Sequence, residues 1–226
     1  MKHLLLISSS NVYGYGYLDH SEPEIKRTVS AGTRVLFVPF ALRDEEAYTA
    51  KVRERLALMG LSVTALKSEA ELASADAIFV GGGNTWRLLK RLYERKLLQP
   101  IRDAVERGLP YIGSSAGSNI AAPTIRTTND MPIMEVPSMD ALGLVPFQIN
   151  PHYLDPELDS THMGETREQR IMEFLEENTA PVVGLREGTM LQVENGLTTL
   201  LGIKHARLFR RGQPPLEVEP GSILDL

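Results

Sequence analysis

The sequence predicts an α/β domain built on a doubly wound, mostly parallel sheet, and three observations predict it. Short apolar runs, partly β-branched, recur through the first half at Leu4–Ile7, Val35–Val38, Ala77–Val80 and Tyr111–Ile112, with a weaker run at Val63–Leu66. Runs so short and free of polar residues read as strands covered on both faces. The stretches between them are long enough for helices, and alternation of strand and helix makes a parallel sheet. The length, 226 residues, suits one large domain, residues 1–226, against a prior of about 150 residues per domain.

Taken in order, Leu4–Ile7 opens the sheet. Its apolar run stops at Ser8-Ser9-Ser10, short of the about 7 to 15 residues of a secretory core region. Asp44 to Met59 carries apolar residues at Ala47, Val52, Leu56 and Met59, near helical spacing, and Gly60 sits where a C-cap glycine belongs. Asn84 caps a helix carrying Trp86, Leu88, Leu89 and Leu92, and Gln99 to Arg107 forms another, stopped by Gly108. From Pro123 to Pro156 the chain holds six prolines and little periodicity; a segment this long inside a compact domain reads as the wall of a site rather than a linker. Leu144–Ile149 looks like a strand leading to His152, Glu165 to Glu177 reads as a charged surface helix, and Val182–Leu185 is a short buried-type strand. The last forty residues read as small C-terminal strands, with Met190–Glu194 and Leu197–Leu201 flanking the hairpin signal Asn195-Gly196.

Composition narrows the function classes. With 42% hydrophobic and 23% charged residues the balance is that of an ordinary globular protein. The chain has no cysteine, which excludes disulfides, thiolate zinc sites, iron–sulfur ligation and a cysteine nucleophile. The 24 Lys and Arg against 29 Asp and Glu leave a net charge of −5, which argues against a nucleic-acid or anionic-membrane partner. No run approaches the roughly 18 apolar residues of a membrane helix. The expectation is a soluble, cytoplasmic protein with no metal and no cofactor.

Ligands of such sheets bind at the carboxyl ends of the strands, and one of those ends carries chemistry. Gly113-Ser114-Ser115-Ala116-Gly117 follows a predicted strand over Leu109–Ile112 and leads into a helix-compatible stretch, Ser118 to Ala122. This is G-x-S-x-G in the strand–turn–helix setting of a nucleophile elbow. There, small flanking residues let the chain turn sharply and push one hydroxyl out above the sheet. The nucleophile is then Ser115, not Ser114.

A nucleophilic serine needs a base, a group to orient that base and donors for the oxyanion. Of five histidines, His3 begins a strand at the wrong end of the sheet, His20 lies in a polar tail and His205 among the small strands. His152 and His162 remain, and His152 is favoured because it follows a strand-like run. Glu187, directly after Val182–Leu185, is placed as a strand-end carboxylate, with Asp130 as its competitor. The glycine loop Gly81-Gly82-Gly83 lies between a strand and a helix; backbone N–H groups of Gly82 or Gly83, with Ala116, suit an oxyanion.

These residues also carry a resemblance. The chain resembles the peptidase E family, the α-aspartyl dipeptidases among serine peptidases, over nearly its whole length. The likeness is densest in Val80 to Thr85, Tyr111 to Gly113, Ser115 to Gly117, Pro123 to Ile133, Gln148 to His152 and Gly164 to Ile171. The resemblance implies a fold like that of class I glutamine amidotransferases, with a serine where that fold usually carries cysteine. It implies hydrolysis of dipeptides with an N-terminal aspartate; the expectation is a monomer or homodimer acting on small peptides without a cofactor. By position the resemblance makes Ser115 the nucleophile, His152 the base and Glu187 the third member; the residues themselves, not the resemblance, nominate the Gly83 and Ala116 N–H groups as the oxyanion donors. One departure is Ser114, where the family often has tryptophan; it should widen or wet the elbow slightly. Selecting an aspartate side chain requires a fixed cation, and the resemblance favours Arg167, ahead of Arg126, as a bidentate clamp. Asp130 or Asn84 would hold the free amine, and the sequence does not choose between them. Other readings are a peptidase of aspartyl polymers, like a cyanophycinase, a lipase-like esterase, and a catalytically silent binding subunit on the same fold.

Overall fold

The structure is a computed structural model and describes residues 2–156, 161 and 163–226; His162 lies outside the described residues. Strands β1 (His3–Ile7), β2 (Arg34–Val38), β3 (Ser62–Ala65), β4 (Ala77–Val80) and β5 (Tyr111–Ser114) lie parallel in the order β1-β5-β4-β2-β3. Their alternation sorts side chains onto two faces, as the two-residue period of a strand requires. Leu4, Leu6, Leu36, Val38, Ile78 and Val80 belong to one core, and Leu5, Ile7, Val35, Phe37, Ala77 and Phe79 to another. Helices α1 (Glu22–Thr28) and α2 (Glu45–Ala57) cover the second face, through Ile25, Val52 and Leu56. Helices α3 (Thr85–Glu94) and α4 (Leu98–Glu106) cover the first, through Leu88, Leu92, Ile101 and Val105. The strands β1, β2, β4 and β5 are thus buried on both sides, whereas the weaker run at Val63–Leu66 forms the edge strand β3, which exposes Ser62 and Thr64. Of the predicted caps, Asn84 accepts from the backbone of Arg87, and Gly60 and Gly108 take positive φ after their helices; α2 is capped as well by Asp44, which accepts from the Ala47 backbone.

The second half departs from a single sheet. After β5 comes the one-turn helix α5 (Ala116–Asn119), then the irregular segment, then β6 (Gln148–Pro151), α6 (Arg167–Glu177) and β7 (Val182–Leu185). β6 and β7 pair in parallel but outside the central sheet, in a four-stranded sheet ordered β11-β10-β7-β6 with β10 (Ala206–Phe209) and β11 (Leu216–Val218). The hairpin β8 (Thr189–Glu194) and β9 (Leu197–Gly202), with β12 (Ile223–Leu224), instead extends the central sheet antiparallel beyond β1. Asn195 and Gly196 both hold positive φ, as the hairpin turn predicted for them demands. One face of the second sheet, with Ile149, Val183, Leu185 and Leu208, joins the core of the first. On its other face Tyr153, Val182 and Phe209 pack on Ile171 and Leu175 of α6. Among the described residues no helix is long and apolar enough to cross a membrane.

Two sequence boundaries move. The strand expected over Leu144–Ile149 begins only at Gln148, after Pro146, and the strand expected over Leu109–Ile112 runs from Tyr111 to Ser114. In β5 the shift carries the ladder with β1 up to Ser114, paired with Ile7, so the turn falls on Ser115.

Candidate active site

Three strand ends converge. Ser115 follows β5 with φ 52° and ψ −111°, a backbone conformation that costs a non-glycine residue about 1–3 kcal/mol and persists only where the surroundings impose it. They do: the Ser115 N–H donates to the Ile7 carbonyl at 2.9 Å, and the same carbonyl accepts the Ser118 hydroxyl at 2.7 Å. The glycines of the elbow are needed for close approach. A Cβ on Gly113 would lie 2.6 Å from the Gly117 carbonyl oxygen, and one on Gly117 would lie 2.0 Å from that of Val80. Gly117→Ala must therefore displace the turn. We expect it to cost at least about 3 kcal/mol in denaturant unfolding and, through the misplaced hydroxyl, roughly a hundredfold in kcat.

His152 leaves β6 with φ 53°, again positive. Its N–H donates to the Ser8 hydroxyl at 3.1 Å, and that hydroxyl donates to the Leu185 carbonyl at 2.8 Å. Ser8 therefore stitches the end of β1 to the ends of β6 and β7, across the two sheets. No motif or spacing in the sequence announces this role; the one signal for it is the polar triplet Ser8-Ser9-Ser10 directly after β1, at the carboxyl end of the sheet. The imidazole then lies between the two other groups, with Nε2 3.0 Å from Ser115 Oγ and Nδ1 2.9 Å from Glu187 Oε1. Glu187 comes from the turn after β7, which is closed by the N–H and hydroxyl of Thr189 on the Arg186 carbonyl. Both His152 and Glu187 are partly open to solvent, so an incoming water can reach the imidazole.

The glycine loop after β4 abuts the elbow: a Cβ on Gly82 would lie 3.0 Å from that of Ser115. Its outer side is held by the buried Tyr48, whose hydroxyl faces the Gly82 N–H and would lie 2.5 Å from a Cβ on Gly81. Burial raises the Tyr48 pKa, so the hydroxyl stays protonated. The N–H groups of Gly83 and Ala116 have no acceptor among the described residues. Ser114 is buried, with no partner for its hydroxyl among the described residues, so the position the resemblance fills with tryptophan holds a small polar residue under the elbow.

Asp130 and Asn84 meet each other's segments rather than His152. Asp130 Oδ2 accepts the Thr85 N–H at 2.8 Å and the Thr85 hydroxyl at 2.6 Å, while Asn84 caps α3 and donates to the Met131 carbonyl at 3.0 Å. Together with Trp86 Nε1 on the Asp130 carbonyl, these bonds pin the irregular segment to the start of α3. Asn129 and Asn150 pin it to β6. Of the two acids weighed for the imidazole, Glu187 is in contact and Asp130 serves the N-terminus of α3.

Arg167 is the first residue of α6, after the capping box of Thr166 and Gln169. It is half-buried and forms no ion pair with a described carboxylate, whereas Arg170 pairs with Glu165 and Arg126 is exposed. Burial, then the neighbouring Arg170, pulls its pKa down, and the charge of Asp130 pulls it back up. An arginine keeps its proton under such shifts, so a partly desolvated cation stands near Asp130 with no ion-pair partner among the described residues.

Comparison with known proteins gives a consistent picture. The model of peptidase family S51 matches residues 4–201. The chain is 55% identical to a protein of Streptomyces coelicolor named "Peptidase E", over 98% of this chain and 93% of that one. It is 51% identical to a Drosophila melanogaster protein named "Probable alpha-aspartyl dipeptidase", over 97% of this chain and 94% of that one. A solved peptidase from an acI-B1 actinobacterium, 18% identical, superposes with a TM-score of 0.72 over 100% of this chain and 97% of that one, a likeness of fold.

Proposed function

Because the chain belongs to peptidase family S51, we propose that it is a serine dipeptidase that hydrolyses dipeptides with an N-terminal aspartate, and that Ser115, His152 and Glu187 are its catalytic triad. The observation that carries the assignment is the single imidazole within hydrogen-bond reach of both Ser115 Oγ and Glu187. Ser115 follows a strand of the first sheet, and His152 and Glu187 follow strands of the second. Neither sheet holds the triad alone, so residues 1–226 act as one hydrolytic domain.

The geometry supports the following course of reaction. Ser115 Oγ adds to the carbonyl carbon of the N-terminal aspartyl residue as its proton passes to His152 Nε2. Glu187 accepts the Nδ1–H, fixes the tautomer and stabilises the imidazolium. The oxyanion lies on the Gly83 and Ala116 N–H groups, each worth about 3 kcal/mol in the transition state. The C–N bond breaks, the leaving amine takes the proton from Nε2, and the aspartyl ester remains on Ser115. Water then gives a proton to the same nitrogen as its oxygen adds to the ester carbonyl; the Ser115 Oγ–C bond breaks, Nε2 returns the proton to Oγ, and aspartate is released.

Arg167 binds the substrate side-chain carboxylate. Its guanidinium presents a two-pronged donor to a carboxylate, and a neutral amide in its place would leave a desolvated cation unpaired. Asp130 balances the charge of Arg167 in the empty site and, with Asn84, shapes the place of the free amine. Arg167→Met is expected to lower kcat/KM for Asp-Leu by roughly a thousandfold, the loss of one desolvated charge-assisted pair, while slow Asn-Leu turnover changes little. Steady-state kinetics on both dipeptides tests this. An Asp-over-Asn preference that survives in Arg167→Met contradicts the clamp.

A further inference from the structure

Beside the triad lies a second set of charges with no part in the chemistry above. Arg186, the residue before Glu187, has a side chain only 14% exposed. Its Nε and Nη2 donate to Asp155 at 2.7 and 2.6 Å, its Nη1 and Nη2 to Glu217 at 2.8 and 2.9 Å, and its Nη1 to the His205 carbonyl at 3.0 Å. Arg207 on β10 continues the chain, 3.5 Å from Asp155, 3.7 Å from Glu217 and 3.1 Å from Glu168. The two arginines hold the carboxyls of Asp155 and Glu217 below their ordinary pKa values, with hydrogen bonds to Arg186 as the largest cause.

The placement of the five residues matters more than their number. Asp155 lies three residues after His152, and Arg186 directly before Glu187, on the exits of two strands paired in parallel with Pro151 opposite Leu185. The Asp155–Arg186 pair is thus a second crosslink between the segments that carry base and acid. Glu168 lies directly after Arg167 in the first turn of α6. Consecutive helical residues point about 100° apart, so holding the Glu168 side chain fixes the rotation of that turn and with it the direction of Arg167. Isolated surface ion pairs contribute about 0–1 kcal/mol, too little to explain two arginines each shared among several carboxylates. A shared geometry across three separate segments does explain them.

We propose that Asp155, Arg186, Arg207, Glu168 and Glu217 form a positioning strap that holds Arg167 and the His152–Glu187 pair in one common register. Its Arg207–Glu168 branch sets the substrate clamp and its Arg186–Asp155 branch sets the triad. The clamp branch rests on the reading above, in which Arg167 binds the aspartyl side chain; the triad branch requires only that Ser115 be the nucleophile.

The test uses the full chain carrying Glu168→Gln, Arg207→Met, both together, or Asp155→Asn. Each is compared with wild type in kcat and KM for Asp-Leu, in the Asp-Leu over Asn-Leu ratio, and in the rate of labelling by a neutral fluorophosphonate that lacks a side-chain carboxylate. Thermal unfolding is recorded alongside. Glu168→Gln and Arg207→Met are expected to raise KM roughly tenfold to a hundredfold and to lower the Asp-over-Asn ratio by the same factor, with labelling unchanged. The double variant should be no worse than the worse single one. Asp155→Asn should slow labelling as well. If these variants only lower the unfolding temperature and leave KM, the ratio and labelling at wild-type values, the strap is overturned and the network is structural. If wild type labels at serine yet does not cleave Asp-Leu, the functional reading and the clamp branch fall together, and labelling of Asp155→Asn alone decides the triad branch.

Discussion

Ser115→Ala is expected to lower kcat on Asp-Leu by roughly a million-fold, the cost of removing a nucleophile whose partners act as a unit, with no change in the fold. Alanine is smaller than serine and keeps the backbone donor to Ile7, so nothing new enters the crowded turn between Val80 and Gly117. The rate left behind comes from the oxyanion donors and from binding, which position the substrate for water. KM for Asp-Leu stays near its wild-type value, because Arg167 and the amine site remain. Kinetics read together with the unfolding temperature separates this outcome from a folding defect.

Glu187→Gln is expected to cost roughly ten-thousandfold in kcat, for a different reason. The carboxylate is an acceptor only, so the hydrogen sits on His152 Nδ1 and leaves Nε2 with the lone pair that takes the serine proton. A glutamine in the same place can offer its amide N–H to Nδ1. That favours the other tautomer, in which Nε2 carries the hydrogen and no longer serves as base. The side chain keeps its size at a half-open position, so unfolding midpoints should match wild type. Labelling by a fluorophosphonate, which also depends on the base, should slow in parallel with turnover. A kcat within tenfold of wild type would make Glu187 a turn residue rather than a member of the triad.

How much of this was legible in the sequence depends on the range of the interaction. The runs Leu4–Ile7, Val35–Val38 and Ala77–Val80 declared themselves because burial on both faces leaves no polar residue in a strand, and that is a local property. The caps at Asn84 and Gly60 were equally local. G-x-S-x-G between strand and helix placed Ser115, and Glu187 stood out as an acid directly after a strand. The partition into two sheets was not legible. Whether β7 pairs with β6 or with the central sheet is decided by contacts between segments far apart in sequence, and Val182–Leu185 reads alike in either place. Ser8 escaped notice for the same reason, since its hydroxyl acts on residues 144 and 177 positions away. Asn84 and Asp130 read as amine ligands from side-chain chemistry alone; their hydrogen bonds to the start of α3 and the irregular segment depend on contacts between distant segments that no spacing announces. The ion network around Arg186 draws on five segments, and no spacing in the chain announces it.

The central claim is that the hydroxyl of Ser115, activated by His152, forms a covalent bond to the substrate carbonyl. The direct measurement is to treat the protein with an aspartyl diphenyl phosphonate, digest it and map the adduct by mass spectrometry. The account predicts a single adduct on Ser115, formed at a rate that parallels loss of Asp-Leu hydrolysis, blocked by excess Asp-Leu and absent from Ser115→Ala. An adduct on any other residue, or full inactivation with Ser115 unmodified, would contradict it.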